Sequence, residues 1–413
     1  MNFKPSIVVS LLIAAGLASP LAHATNGMLP IGYGLKSEGM GGAGIALPQD
    51  ALAAATNPAG MVMVGDRIDM GLEWFKPNRT DTNGSTGATA VAGGTYDGNG
   101  RPNFFIPQFG YNKMISGNTS LGVSVFGNGG MNTAYNSNPF NGSSGVAGVN
   151  LAQLFISPTW SMKLNPQNSI GVSLNIAYQM FSATGIQGFS GISANSSAGF
   201  NNPGTDTATG YGLRLGWIGQ VSPAVTLGAT YQTKTKMSKF SKYAGLFSDQ
   251  GELDVPANYG IGVAVKANSA TTVAFDVERI EYSGVNAIGN PMPFGAAALG
   301  ASNGPGFGWK SINAYKLGVS YAMDSKLTLR AGVDHCDQPI QSSQVMFNIL
   351  APGVIQNHLS LGATWTLADK SEVTVGYVHS FKNSVTGTPP AGYGTNPITL
   401  SMDQDAIGIS YGW

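Results

Sequence analysis

The chain has 413 residues, equal numbers of basic and acidic side chains (21 of each), zero net charge, and only 10% charged residues. Soluble domains carry about 25% charged residues, so this composition excludes an ordinary soluble surface, and the balanced charge leaves no basic footprint for nucleic acid. The single cysteine, Cys336, excludes an intramolecular disulfide.

In chain order, the first element is a signal. Lys4, the apolar run 7–18 and Ala22-His23-Ala24 have the three-part order of a secretory signal peptide spanning 1–24. The run is shorter than the roughly 20 residues a spanning helix needs, so the mature, exported chain is expected to begin at Thr25. Residues 25–66 do not alternate and are rich in Gly, Ala and Pro. They read as a compact N-terminal hatch preceding the first strand. Gly39-Met40-Gly41-Gly42-Ala43-Gly44 matches G-x-G-x-x-G, but dinucleotide binding needs that motif between a strand and a helix. Here the glycines are expected to serve tight turns and close packing.

From 67 to 413 the sequence alternates with period two. Val373, Val375 and Tyr377 alternate with Thr374 and Gly376, and Leu359, Leu361 and Ala363 with Ser360 and Gly362. Fourteen strands are predicted: 67–76, 103–113, 119–127, 151–164, 169–182, 208–221, 224–235, 255–267, 270–283, 312–323, 326–337, 355–367, 371–382 and 402–413. Short turns (114–118, 165–168, 222–223, 268–269, 324–325, 368–370) alternate with long loops (77–102, 128–150, 183–207, 236–254, 284–311, 338–354, 383–401). The pattern of even strand number, short periplasmic turns and long extracellular loops is that of an outer-membrane barrel. No later apolar run is long enough for a spanning helix, and only helices and closed barrels satisfy the backbone in lipid. The non-apolar face is mostly Gly, Ser, Thr and Asn rather than Lys and Glu, which suits a lumen. The predicted fold is therefore an all-β, fourteen-stranded antiparallel transmembrane β-barrel (67–413) with a hatch (25–66) inside it. A lumen of that width is too wide to be filled by wall side chains alone. The final Trp413 is the kind of aromatic end that barrel strands present to the assembly machinery, or else a residue of the interfacial girdle.

No catalytic, cofactor or metal pattern stands out. His335, His358 and His379 lack ligand spacing, and no nucleophile motif is present. Inward positions carry Arg214, Lys316, Arg330, Asp276, Glu278 and Asp334. These either form an internal network joining barrel and hatch, or Arg214, Lys316 and Arg330 offer partners for a ligand carboxylate. The long loops are unusually apolar: Phe189 and Phe200 lie in one, and Phe240, Tyr243, Leu246 and Phe247 in the next. They either pack on one another as a cover or form a groove that captures an apolar ligand.

The hatch segments Gly39–Ala46, Gln49-Asp50-Ala51 and Asn57-Pro58-Ala59-Gly60-Met61 resemble the FadL long-chain fatty-acid transporter family. So do Leu253-Asp254-Val255-Pro256, Ala314–Gly318, Leu327–Gly332 and Asp337–Ile340. The resemblance covers essentially the whole mature chain. It implies a fourteen-stranded barrel with a hatch, capture between loops 183–207 and 236–254, and a tighter pocket near Thr25–Pro30. It implies lateral exit where the third strand bends, here at Gly127-Asn128-Gly129-Gly130. Asn57, Pro58 and Ala59 would face the barrel wall. Met28 and Leu29 would take the place of the Phe-containing start of the family's fatty-acid member. The expected function is passive uptake of hydrophobic small molecules, with long-chain fatty acids first and alkanes or alkylaromatics as the alternative. A structural or adhesive barrel and an outer-membrane hydrolase are the alternatives of another class. Expected partners are outer-membrane lipid, lipopolysaccharide and the assembly machinery. No cofactor and no nucleic acid are expected, and the barrel is expected to act as a monomer.

Overall fold

Side-chain alternation closes the chain into a ring of strands. The computed structural model describes residues 25–84, 90–141, 145–293 and 297–413. The expected signal peptide lies outside the described residues. Sixteen strands form one antiparallel sheet, of which two are short additions, Gly94–Asp97 and Lys236–Met237. The remaining fourteen are the barrel. They are Arg67–Asn83, Phe104–Ser116, Thr119–Tyr135, Ala147–Lys163, Asn168–Thr184, Asp206–Gln220 and Val225–Gln232, then Asn258–Lys266, Thr271–Ile280, Ile312–Ala322, Leu327–Cys336, Asn357–Thr366, Glu372–Gly387 and Ile398–Gly412. The first pairs with the last from Asp69↔Gly412 to Asn83↔Ile398. That closure removes the free edges a sheet would otherwise expose.

Outward residues are large and apolar, such as Tyr211, Leu213 and Leu215, or Ile407, Ile409 and Tyr411. Their neighbours point inward and are small or polar: Ser360, Ser173 and Ser157 are fully buried. Several strands outrun their predicted ends. The first continues past 76 to Asn83, and the third past 127 to Tyr135. Pro77 and Gly127-Asn128-Gly129-Gly130 break the apolar–polar alternation without breaking backbone pairing, so periodicity under-reads those strands.

Residues 25–66 hold only short helical turns, among them Leu35–Glu38, Pro58–Gly60 and Met61–Val64. Such a segment cannot satisfy its own backbone, and the barrel wall answers it. Gly41 N–H donates to Ser360 Oγ (2.7 Å). Gly44 and Ile45 N–H donate to the Asp276 carboxylate (2.7 and 2.9 Å). Ala51 N–H donates to Asp69 (2.8 Å). Lys36 pairs with Glu372 at 2.6 Å.

Candidate functional site

The third strand departs from the wall halfway along. Its ladder with the second strand ends at Phe109↔Val125. Beyond that the second strand still pairs with the first, up to Phe75↔Phe104, and the third still pairs with the fourth. The result is a gap in the wall between Phe104–Gln108 and the third strand. Pro107 sits on the free side of the gap, and a proline, having no N–H, suits such an edge. From Phe126 to Thr133 every residue is buried, so this stretch has left the lipid-facing surface. The register shifts between Gly127 and Gly129, and Gly129 has φ 148, a conformation that side-chain-bearing residues rarely adopt.

The turn at Met28 and Leu29, at the beginning of the hatch, occupies this bend. Gly130 N–H donates to the Met28 carbonyl (3.2 Å). A Cβ on Gly129 would lie 2.2 Å from that same oxygen. Met28 is fully buried and Leu29 nearly so. The turn is held from behind by Tyr282, which follows the ninth strand. Its hydroxyl accepts from Met28 N–H (3.0 Å) and Leu29 N–H (3.3 Å) and donates to the Asn26 carbonyl. Burial pushes the Tyr282 phenol well above its usual pKa, so it stays a neutral donor. Asn26 Nδ2 also donates to Asp334 (3.3 Å), which lies 2.8 Å from His358.

The Asn57-Pro58-Ala59 step faces the fifth, sixth and seventh strands. Asn57 Nδ2 donates to the carbonyls of Ile45 (2.8 Å), Trp217 (3.1 Å) and Ala229 (3.3 Å). Its Oδ1 caps the following turn by accepting from Ala59 N–H (3.1 Å). Pro58 lies over Gly171, where a Cβ would meet its backbone at 2.4 Å.

The three cations singled out from the sequence are all engaged. Arg214 donates to Thr56 O (3.0 Å), Thr230 (3.3 Å), Gln232 (2.7 Å) and Asn258 (3.1 Å). Lys316 pairs with Glu278 at 2.6 Å. Arg330 donates to Gln49 (2.9 Å) and Thr364 (2.7 Å). Arg214 and Arg330 thus tie wall to hatch. Arg214 and Lys316 also line a narrow space beneath Leu29 together with Tyr33, Ile45 and Ile280, while Arg330 is not among its lining residues.

The loops enclose an apolar pocket, partly open to solvent, lined by Phe181, Phe189, Leu246, Phe247, Leu299 and Phe347 among others. Of the six loop residues singled out from the sequence, Phe189, Leu246 and Phe247 line it. Phe200, Phe240 and Tyr243 do not: they are fully buried, and Phe240 and Tyr243 support Phe181 from behind (ring centroids 5.8 and 4.7 Å away). Sequence reasoning assigned no role to Tyr282, Phe181 or Arg79. Phe181 sits on a predicted strand, where period two gives it a face but not a partner, whereas Arg79 falls in the predicted loop 77–102 and only the longer first strand of the structure takes it in.

A family model described as outer membrane protein transport protein (OMPP1/FadL/TodX) matches residues 32–411. Outer membrane protein P1 of Haemophilus influenzae is 23% identical, over 92% of this chain and 90% of that protein. Among solved structures, a Pseudomonas aeruginosa FadL homologue superposes with a TM-score of 0.69 at 15% identity, covering 94% of this chain and 99% of that one. The Pseudomonas putida toluene transporter TodX superposes with a TM-score of 0.66 at 20% identity, covering 92% and 98%. At these identities the structural likeness speaks for the fold.

Proposed function

The chain belongs to the OMPP1/FadL/TodX family of outer membrane transport proteins, and on that premise we propose that it takes up hydrophobic small molecules passively. The observation that carries this reading is the contact between Met28 and Gly130, which sets the N-terminal turn of the hatch against the gap in the wall. A ligand enters the apolar loop pocket first, where burying its surface is worth about 25 cal/mol per Å². It then passes to the narrow space beneath Leu29. Displacing Met28 and Leu29 frees the gap beside Gly129, and the ligand leaves sideways into the membrane, never crossing the polar lumen. No step needs an energy source, because the concentration gradient drives the flow.

Long-chain fatty acids are the first substrate class, with the space lined by Arg214 and Lys316 taking the carboxylate. Alkylaromatic hydrocarbons are the second, favoured by the fact that both cations already have partners and by the likeness to a toluene transporter. The deciding experiment is uptake of labelled oleate and labelled toluene by cells lacking the protein and by cells given it back. Restoration of oleate uptake alone assigns fatty acids, and of toluene alone assigns neutral hydrocarbons. Restoration of neither overturns the reading.

A further inference from the structure

A strand edge facing a gap presents backbone N–H and C=O groups that must be answered, and in a membrane water does not answer them. The third strand shows how this is done, at every second residue. Gly130 N–H is taken by the Met28 carbonyl. Ala134 is taken by the segment leading into the second strand, with Gly100 N–H donating to its carbonyl and its own N–H donating to Gly98 O (both 2.9 Å). Between them, the carbonyl of Asn132 accepts from the guanidinium of Arg79.

Arg79 is on the first strand, so its side chain reaches across the full width of the gap. It is fully buried. The guanidinium also donates to Asn132 Oδ1 (3.0 Å) and Arg101 O (3.0 Å), and it lies 5.9 Å from the centroid of the Phe104 ring at the end of the second strand. Thus one side chain touches both borders of the gap and the segment above it. A guanidinium suits this because its planar fork holds five N–H donors in fixed directions and so serves several acceptors at once.

We infer that Arg79 is a fixed strap across the outer part of the wall gap, and that it sets the cross-section of what can leave the barrel. Met28 is the part that moves and Arg79 the part that stays. Strand residues rise about 3.3 Å each, so the step from Asn132 to Ala134 is worth about 7 Å of opening. With the strap in place, slender molecules pass below Asn132. Without it, the opening extends up to Ala134, and wide, rigid molecules pass as well. The role is one of specificity, and it rests on the uptake reading above.

The test compares the wild type with Arg79→Ala and Arg79→Gln. Entry of labelled toluene and oleate is measured beside entry of pyrene, a wide and rigid hydrocarbon. Folded barrels are counted by their heat-dependent shift on gels. The expected result is that the wild type admits a slender probe but little pyrene. Both variants should raise the ratio of pyrene to slender-probe uptake by roughly tenfold, the scale on which pocket shape discriminates apolar ligands. A purely structural Arg79 would lower the amount of folded barrel and leave that ratio alone. An unchanged ratio in folded variants overturns the inference, as does equal loss of every probe. Failure of both variants to assemble would also overturn it, by making Arg79 a residue of the fold. If the wild type itself admits neither toluene nor oleate, the uptake reading falls and the strap falls with it.

Discussion

The carboxamide of Asn57 lies against the backbone of Gly216 so closely that a Cβ at Gly216 would sit 1.9 Å from Asn57 Oδ1. Two features that look unrelated in the sequence, an Asn-Pro-Ala step in the hatch and a glycine in the sixth strand, are therefore one contact. The same Asn57 satisfies three backbone carbonyls, two of them on the wall. Gly216→Ala is expected to unseat the hatch while leaving the barrel closed. Asn57→Ala is expected to lower stability by about 1–3 kcal/mol, the usual effect of leaving buried polar groups unanswered. Limited proteolysis of the folded barrel reads both: faster cleavage within 25–66 is expected, and unchanged protection would show that the contact is incidental.

Gly129 bears on the Met28 carbonyl in the same way. Gly129→Ala is strained twice, by its φ of 148 and by the clash. The N-terminal turn is expected to leave the gap, so uptake becomes faster and less selective. A folded Gly129→Ala barrel with wild-type rate and selectivity would contradict gating at this bend.

Tyr282→Phe removes one hydroxyl and three hydrogen bonds to the N-terminal turn. The ring stays, and with it the edge-on packing against Trp309 (centroids 5.1 Å apart). A spin label at Thr25 should gain mobility, while the thermal midpoint of the barrel moves little. Equal mobility in the two proteins would mean that Tyr282 does not hold the turn.

Asp50 gives the hatch a pH dependence. Burial, and then the neighbouring Asp69, hold its carboxyl up at about 6, above the ordinary value of about 3.9. The folded state therefore binds the proton more tightly than the unfolded one. The stabilisation this brings is fully present below about pH 3.9 and is lost as pH rises through about 6. The hatch should resist protease better at pH 5 than at pH 7.5, and Asp50→Asn should flatten that difference. A wild-type hatch that is better protected at the higher pH would refute the sign.

In the loops, Phe247→Asp places a charge in the apolar pocket. Uptake should fall at low substrate concentration and recover at high concentration, because capture is weakened and passage is not. A loss that persists at saturation would place Phe247 on the exit path instead.

The ring of strands is readable from the chain's own pattern. Period-two alternation with a small polar face, together with the rhythm of short and long connections, is a local property of each segment, and it set strand number, order and closure. The hatch was legible as the stretch 25–66, which lacks that rhythm. Strand ends were less legible, because Pro77 and the glycines at 127–130 interrupt the side-chain pattern while the backbone continues to pair. Which groups meet across the lumen is set by the folded arrangement. Arg214, Lys316 and Arg330 could be read from the sequence as struts or as ligand partners, and only their neighbours showed all three already engaged. Of the loop aromatics, alternation and composition could not separate Phe247, which lines the pocket, from Phe240, which is buried behind it. Arg79 and Asn132 are more than fifty residues apart, and Met28 and Gly130 about a hundred. Such pairs form only because the barrel closes and one strand turns inward, which no local pattern encodes.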